Sequence, residues 1–227
     1  MNILALDCAV SKFSIGVETE KGKIFTTFDI GMRQSEMIVP ALQNALSLAG
    51  INVSELNYSA VTIGPGSFTG LRLGLSALKA LTFAYNIPCF GLSSLKVYAE
   101  PFLQTGKNVI SCIDANKGKF YSSIFNNSKV LLKDDDYPVE NIISKISEFA
   151  DNEEFWILGP DNKKLYELLC AQDKTHKFFA PEFSFNTSES LIRLAEKMIE
   201  NNEKPLEDYD GPVYLRASEA ELKLNNG

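Results

Sequence analysis

Asn2-Ile3-Leu4-Ala5-Leu6-Asp7 and Asn108-Val109-Ile110-Ser111-Cys112-Ile113-Asp114 are two apolar runs that each end in an aspartate. Ser11-Lys12-Phe13 follows Asp7 at the spacing with which Gly118-Lys119-Phe120 follows Asp114. Downstream of the first run, residues 12–19 and 23–29 form a hairpin across Glu20-Lys21-Gly22, and 33–49 a helix closed by Gly50. A strand at 58–63, a helix over 68–85, a strand at 87–91 and a helix over 93–103 broken at Pro101 follow. Downstream of the second run come a hairpin of 119–126 with 129–133, a helix at 139–149, a strand at 154–158 and a helix at 161–171. A short apolar stretch at 177–180 and a helix at 188–201 close the series. The order β-β-β-α-β-α is written twice, which marks an internal repeat. Pro40 is tolerable in the 33–49 helix only near its start, among N–H groups with no helical partner.

Between the fourth strand-forming run and its helix stands Gly64-Pro65-Gly66-Ser67-Phe68-Thr69-Gly70-Leu71-Arg72-Leu73-Gly74. Ser67 is placed to cap the helix, and such a turn offers unpaired N–H groups to a phosphate. It is also what a plain tight connection looks like. A P-loop needs Gly-Lys-Ser/Thr where this chain has Gly70-Leu71; the dinucleotide fingerprint and the nucleophile elbow fail on spacing as well. The helix carries only Arg72 and Lys79 as charges from 70 to 84. Gly70, Gly74, Ala77 and Leu81 make one stripe, and Leu71, Leu75 and Leu78 another. The 33–49 helix likewise has two, one with Ile38 and Leu42, the other with Met37, Ala41 and Leu48. A helix apolar on more than one side must be covered on more than one side. The glycine stripe can admit a second helix backbone, from this chain or from a partner.

With 227 residues and 45% apolar composition the chain can bury a sizeable core. Its net charge of −7 opposes binding to a phosphate backbone by this chain alone. Cys8, Cys89, Cys112 and Cys170 form no Cys-x-x-Cys pair and read as small buried hydrophobes in a reducing compartment. Met1 runs straight into a strand without a signal peptide, and no apolar run approaches the ~20 residues of a membrane span, so the expected location is the cytoplasm. His176 is the single histidine, which excludes a three-histidine metal centre, and it is read as a surface loop residue.

Two copies of the repeat describe an α/β architecture, the duplicated ribonuclease-H-like, two-lobe fold shared by actin, Hsp70 and sugar kinases. The expected lobes are 1–104 and 105–227, parted near Gln104-Thr105-Gly106. In that superfamily a nucleotide lies between the lobes, and the turn after each first strand cradles phosphate. The positions to weigh for a cofactor are therefore Asp7, Ser11, Asp114 and Gly118. In the second turn, Asp114-Ala115-Asn116-Lys117-Gly118, only Gly118 takes a left-handed conformation cheaply. Turn-capping at the strand ends is the competing role for both aspartates.

The run 64–74 resembles the signature of the bacterial TsaB (YeaZ) family, a partner subunit in making threonylcarbamoyladenosine on tRNA. Residues 114–121 and Pro212-Val213-Tyr214-Leu215-Arg216 resemble two further motifs of that family, the former with Asn116-Lys117 where paired arginines are common. Residues 212–216 are expected to pack back on the first lobe. The related catalytic TsaD family holds a metal with two histidines on the helix matching 33–49; here that helix has none. Gln34-Ser35 stands where many TsaB sequences have a histidine. The resemblance implies a non-catalytic subunit without metal or catalytic residues of its own, which binds and activates a TsaD-type subunit. A TsaE-type ATPase joins the assembled complex, tRNA is met only indirectly, and the chain alone forms a homodimer. ATP or ADP shared at the complex interface stays open. The interface is expected at Met37, Ala41, Leu48, Ser67, Gly70, Arg72, Gly74, Ala77, Lys79 and Leu81. An ATPase or kinase of the superfamily, or a metallopeptidase-like enzyme, is the alternative.

Overall fold

The structure, a computed structural model, describes residues 1–182 and 186–216. Its elements are β1 (Ile3–Asp7), β2 (Phe13–Thr19), β3 (Gly22–Phe28), α1 (Gln34–Ala49), β4 (Tyr58–Gly64), α2 (Phe68–Phe83), β5 (Cys89–Ser93) and α3 (Ser94–Ala99). Then come β6 (Asn108–Asp114), β7 (Lys119–Asn126), β8 (Lys129–Pro138), α4 (Val139–Ile146), β9 (Glu154–Leu158), α5 (Asn162–Gln172), β10 (Lys177–Phe179) and α6 (Thr187–Glu200).

The repeat is a repeat in space. One sheet runs β3-β2-β1-β4-β5 and the other β8-β7-β6-β9-β10. In each, the first strand pairs antiparallel with the second and parallel with the fourth, Ala5 facing Ala60 in one sheet and Ile110 facing Ile157 in the other. Both sheets thus carry the strand order of the ribonuclease-H-like unit, and the fold is the duplicated α/β one.

Burial explains why these strands sit at the centre. β1 is buried along its whole length, as its unbroken apolar run requires of a strand covered on both faces. Leu4 and Leu6 point to one face and join Ile38 and Leu42 of α1 with Leu75 and Leu78 of α2 in a single cluster. Each such side chain contributes about 1.5–3 kcal/mol by leaving water. The other face is covered by α6, which packs on β1, β2, β4 and β5. Gly16 on β2 makes room for it, since a β-carbon there would stand 2.9 Å from Ser188 Oγ. The second sheet has its own core, in which Ile110, Phe120, Ile142, Phe155, Leu165 and Leu169 are fully buried.

The compact units are not the contiguous halves 1–104 and 105–227. One gathers Met1–Val97 with Phe185–Val213, the other Tyr98–Ser184 with Tyr214–Gly227. The cause is α6, whose apolar face (Leu191, Ile192, Leu194 and Ala195 are all buried) closes the first sheet rather than the second. After α6 the chain runs along the first unit, with Leu206 N–H donating to Cys89 O and Val213 N–H to Ile63 O, both at 2.7 Å. The expected return of 212–216 thus holds for Val213, whereas Arg216 belongs to the second unit and donates to Ala115 O.

Pro40 is also placed differently. A 3-10 turn over Gly31–Arg33 precedes α1, so Pro40 is the seventh residue of the helix and lies beyond the first turn. It is on the exposed side, where solvent can take the carbonyl its missing N–H leaves unpaired. Among the described residues no helix is long and apolar enough to cross a membrane.

Candidate functional site

The 64–74 signature is an internal lock. Ser67 caps α2, its hydroxyl accepting from Gly70 N–H at 3.2 Å, while Ser67 N–H donates to Ala9 O at 2.7 Å. The Gly64–Pro65 peptide is cis. A β-carbon on Gly66 would fall 2.2 Å from Ala9 O, and one on Gly70 2.4 Å from Cys8 O. The glycines therefore let the start of α2 press against the turn after β1. Gln34, the first residue of α1, clamps the same turn, its amide Nε2 donating to Val10 O at 2.7 Å and Ser11 O at 2.8 Å. The departure at 34–35 thus has a definite local role. Ser11 itself is exposed.

Asp7 is buried and fully engaged. Oδ1 accepts from Ala9 N–H at 3.0 Å and Thr62 Oγ1 at 2.8 Å; Oδ2 accepts from Thr187 Oγ1 at 2.6 Å. Thr187 opens α6, so the carboxylate also faces the positive end of a helix. Ser14 Oγ meets Thr187 Oγ1 at 2.6 Å. Burial raises the Asp7 pKa above its ordinary value, with the three hydrogen bonds pulling the other way. Its carboxylate ties β1, β4 and α6 together. Neither Thr62 nor Thr187 carries a local sequence signal for this, because each is far from Asp7 along the chain.

Asp114 repeats half of that pattern. Its Oδ1 accepts from Asn116 N–H at 2.9 Å, as Asp7 accepts from Ala9, so the capping role holds at both strand ends. Its Oδ2 pairs with Lys164, and its own N–H donates to Asp161 Oδ2 at 2.8 Å. Burial tends to raise its pKa, but the Lys164 ammonium and the Asn116 N–H outweigh this and the net shift is downward. The following turn is more strained than expected: Asn116, Lys117 and Gly118 all have positive φ, 63°, 55° and 76°. Asparagine tolerates this through its short polar side chain, and Lys117 is carried by its neighbours.

The residues expected at an interface separate into two groups. Gly70, Gly74 and Ala41 face inward: a β-carbon on Gly74 would meet Cys8 Cβ and Sγ at 2.9 Å, and Ala41 is buried. The glycine stripe is thus occupied by this chain's own first turn. Lys79 is likewise satisfied internally, its Nζ donating to the carbonyls of Glu207 (2.6 Å), Asp208 (3.1 Å) and Asp210 (2.8 Å). Arg72 is exposed and lies over the Phe68 ring at 3.7 Å. Met37, Leu73, Ala77 and Leu81 are half-buried against the core, and Ser67 is exposed at the cap. α1 and α2 do lie side by side. What they leave outward is Leu48, 62% exposed, and on α2 the row Leu73, Ser76, Ala77, Ala80, which recurs at helical spacing without a charge.

His176 is not a surface residue. Its side chain is 4% exposed, Nδ1 lies 2.8 Å from Asp173 Oδ2, and the ring meets Phe155 edge-on at 5.6 Å. Asp173 three residues earlier was the available signal, since it also accepts from the N–H groups of Thr175 and His176 and so folds the loop inward. Cys8, Cys89 and Cys112 are buried, as small hydrophobes should be, and Cys170 is half-buried. Among the described residues no group of three His, Cys, Asp or Glu side chains is placed to hold a metal ion.

Residues 31–221 match the family model described as TsaD, tRNA N6-adenosine threonylcarbamoyltransferase. The tRNA threonylcarbamoyladenosine biosynthesis protein TsaB of Escherichia coli (strain K12) is 26% identical over 238 residues, covering 99% of this chain and 98% of that one. TsaB of Buchnera aphidicola from Schizaphis graminum is 25% identical over 209 residues, covering 89% of this chain and 95% of that one. The solved structure of YeaZ from Pseudomonas aeruginosa superposes with a TM-score of 0.74 at 21% identity, covering 94% of this chain and 99% of that one, and so shares the fold. With the family model spanning most of the chain and TsaB relatives aligned nearly end to end, the chain belongs to the TsaB (YeaZ) branch of this family of tRNA threonylcarbamoyladenosine biosynthesis proteins.

Proposed function

We propose that this chain is a non-catalytic subunit of tRNA threonylcarbamoyladenosine synthesis, which binds a TsaD-type catalytic subunit and activates it. The observation that carries the reading is a charge-free strip on the outward side of paired α1 and α2, where Leu48, Ser76 and Ala80 are exposed and Leu73 and Ala77 half-buried. Small side chains on a helix crest let another helix approach closely, and an apolar face left in water gains by being covered. A TsaD-type partner of the same duplicated fold offers an equivalent helix pair, so two pairs would pack as a four-helix contact. In the partner's absence a second copy of this chain takes its place as a homodimer. A TsaE-type ATPase completes the assembly, and tRNA is bound by the catalytic subunit, in keeping with the net charge of −7. The buried groups of this chain support a structural role: the Asp7 carboxylate is used in holding α6, and α1 carries no histidine.

The test places a charge on the crest without touching the core. Leu48→Glu and Ser76→Arg alter exposed side chains, so both variants should melt like wild type. Each should weaken association with the TsaD-type protein about tenfold or more, since burying an unpaired charge costs well over the ~1.4 kcal/mol that a decade requires. Modification of tRNA reconstituted from purified components should fall in parallel. Folded variants that bind and support modification at wild-type levels would put the contact on another face.

A further inference from the structure

A hollow of about 470 Å3 lies between the C-terminal end of α2, the start of β5 and the returning chain, lined by Ala80, Phe83, Ile87, Leu206, Glu207 and Asp208 among others. We infer that it is a docking site for a partner-protein segment in which an arginine or lysine adjoins an apolar side chain. The site adjoins the α1–α2 crest, sharing Ala80 with it, but does not rest on the reading given for that surface.

Its chemistry selects the occupant. The floor is apolar, with Ile87 and Leu206 inside, and Phe83 stands 68% exposed at the edge. The rim is acidic: the carboxylates of Glu207 and Asp208 make no hydrogen bond or ion pair among the described residues. Among the described residues of the lining the one cation is Lys79, and its ammonium has three protons. All three are directed to the carbonyls of 207, 208 and 210, so it has none to offer an acidic ligand. A nucleic-acid phosphate meets the same acidic rim and is repelled. A guanidinium or ammonium on an apolar stem fits both parts, with the stem on the floor and the charge at the rim.

The loop is also held ready. Glu207 N–H donates to Asp210 Oδ2 at 2.7 Å and Asp210 N–H to Glu207 O at 3.1 Å, closing a turn whose carbonyls Lys79 gathers from within. That turn presents Tyr209 wholly to solvent, 101% exposed, beside the acidic rim. A rigid loop needs little further ordering on binding, and tyrosine is favoured at the centre of protein contacts.

The intact chain is titrated with acetyl-Leu-Arg-Leu-amide and with acetyl-Leu-Glu-Leu-amide while backbone amide shifts are followed. The arginine probe should shift Ala80, Thr82, Asn86 and Leu206, and bind at least about tenfold more tightly than the glutamate probe. It should weaken at least about tenfold in a Glu207→Lys, Asp208→Lys variant, and in wild type at about 0.5 M salt, which keeps the test open were the variant unable to fold. Equal binding of both probes, shifts elsewhere or none up to ~10 mM, or insensitivity to salt and charge reversal would overturn the site. So would shifts that follow protein concentration without peptide, which would identify a second copy as the occupant.

Discussion

Gly74 of α2 rests directly on Cys8: a β-carbon at Gly74 would stand 2.9 Å from both the Cβ and the Sγ of Cys8. The neighbour cannot withdraw, because Cys8 is buried in the turn that Gln34 and Ser67 hold in place. Gly74→Leu should therefore destabilise the chain itself, by about 1–3 kcal/mol or more from overpacking. Thermal melting measures this, and a Gly74→Leu protein as stable as wild type would show that the helix can slide. Loss of partner binding in such a variant would say nothing about an outer surface.

Asp7 and Asp114 occupy equivalent places in the two repeats yet should respond to pH with opposite sign. Burial raises Asp7 above its ordinary 3.8, so between 3.8 and that raised value the folded chain keeps a proton the unfolded chain has released. Its contribution is present below 3.8 and lost as pH rises through the folded value. Asp7→Asn removes this titration. The difference in urea unfolding free energy, variant minus wild type, should move in favour of the variant as pH rises from about 4 to about 7. A difference independent of pH would contradict it.

Asp114 runs the other way. Lys164 and the Asn116 N–H lower its pKa despite burial, so its contribution is present above 3.8 and is lost as pH falls through the lowered value. Asp114→Asn should cost stability at neutral pH and cost nothing once both states are protonated. Lys164 is 53% exposed, so added salt should shrink the effect. Unfolding at low and high salt decides it: no salt dependence would mean that the ion pair does not set the pKa.

Lys79→Met keeps the apolar stem and removes the ammonium from three carbonyls. The turn at 207–210 should loosen at a cost of about 1 kcal/mol, with cleavage by a glutamate-specific protease after Glu207 quickened several-fold. Equal cleavage rates in variant and wild type would show that the turn is held without it.

Much of the fold was legible because the order of elements is a local property. The hairpin of β2 and β3, the caps at Ser67 and Gly50 and the two aspartate-ended strands all report their structure within a few residues. The candidate surface was harder to read. Helical spacing shows that Gly70, Gly74, Ala77 and Leu81 share a side of α2, but two stripes of similar apolarity do not say which turns inward. The occupant of the glycine side, Cys8, lies on a different turn of the chain. Lys79 reads as a lone charge awaiting a partner because its carbonyls come after residue 206. The same distance hid α6, whose apolar face fits either sheet until Gly16 and Asp7 are seen to receive it.

Closing the first sheet with α6 has a consequence for translation. Thr187 follows Asp7 by 180 residues, and ribosomes add ~5–20 residues each second, so on the order of ten seconds or more separates the two. Throughout that interval the nascent chain holds β1 with one face bare, while the strands and helices of the second sheet emerge and can close. The sheet whose strands are made first is therefore the sheet whose second face is covered late, after the strands of the other sheet have been made.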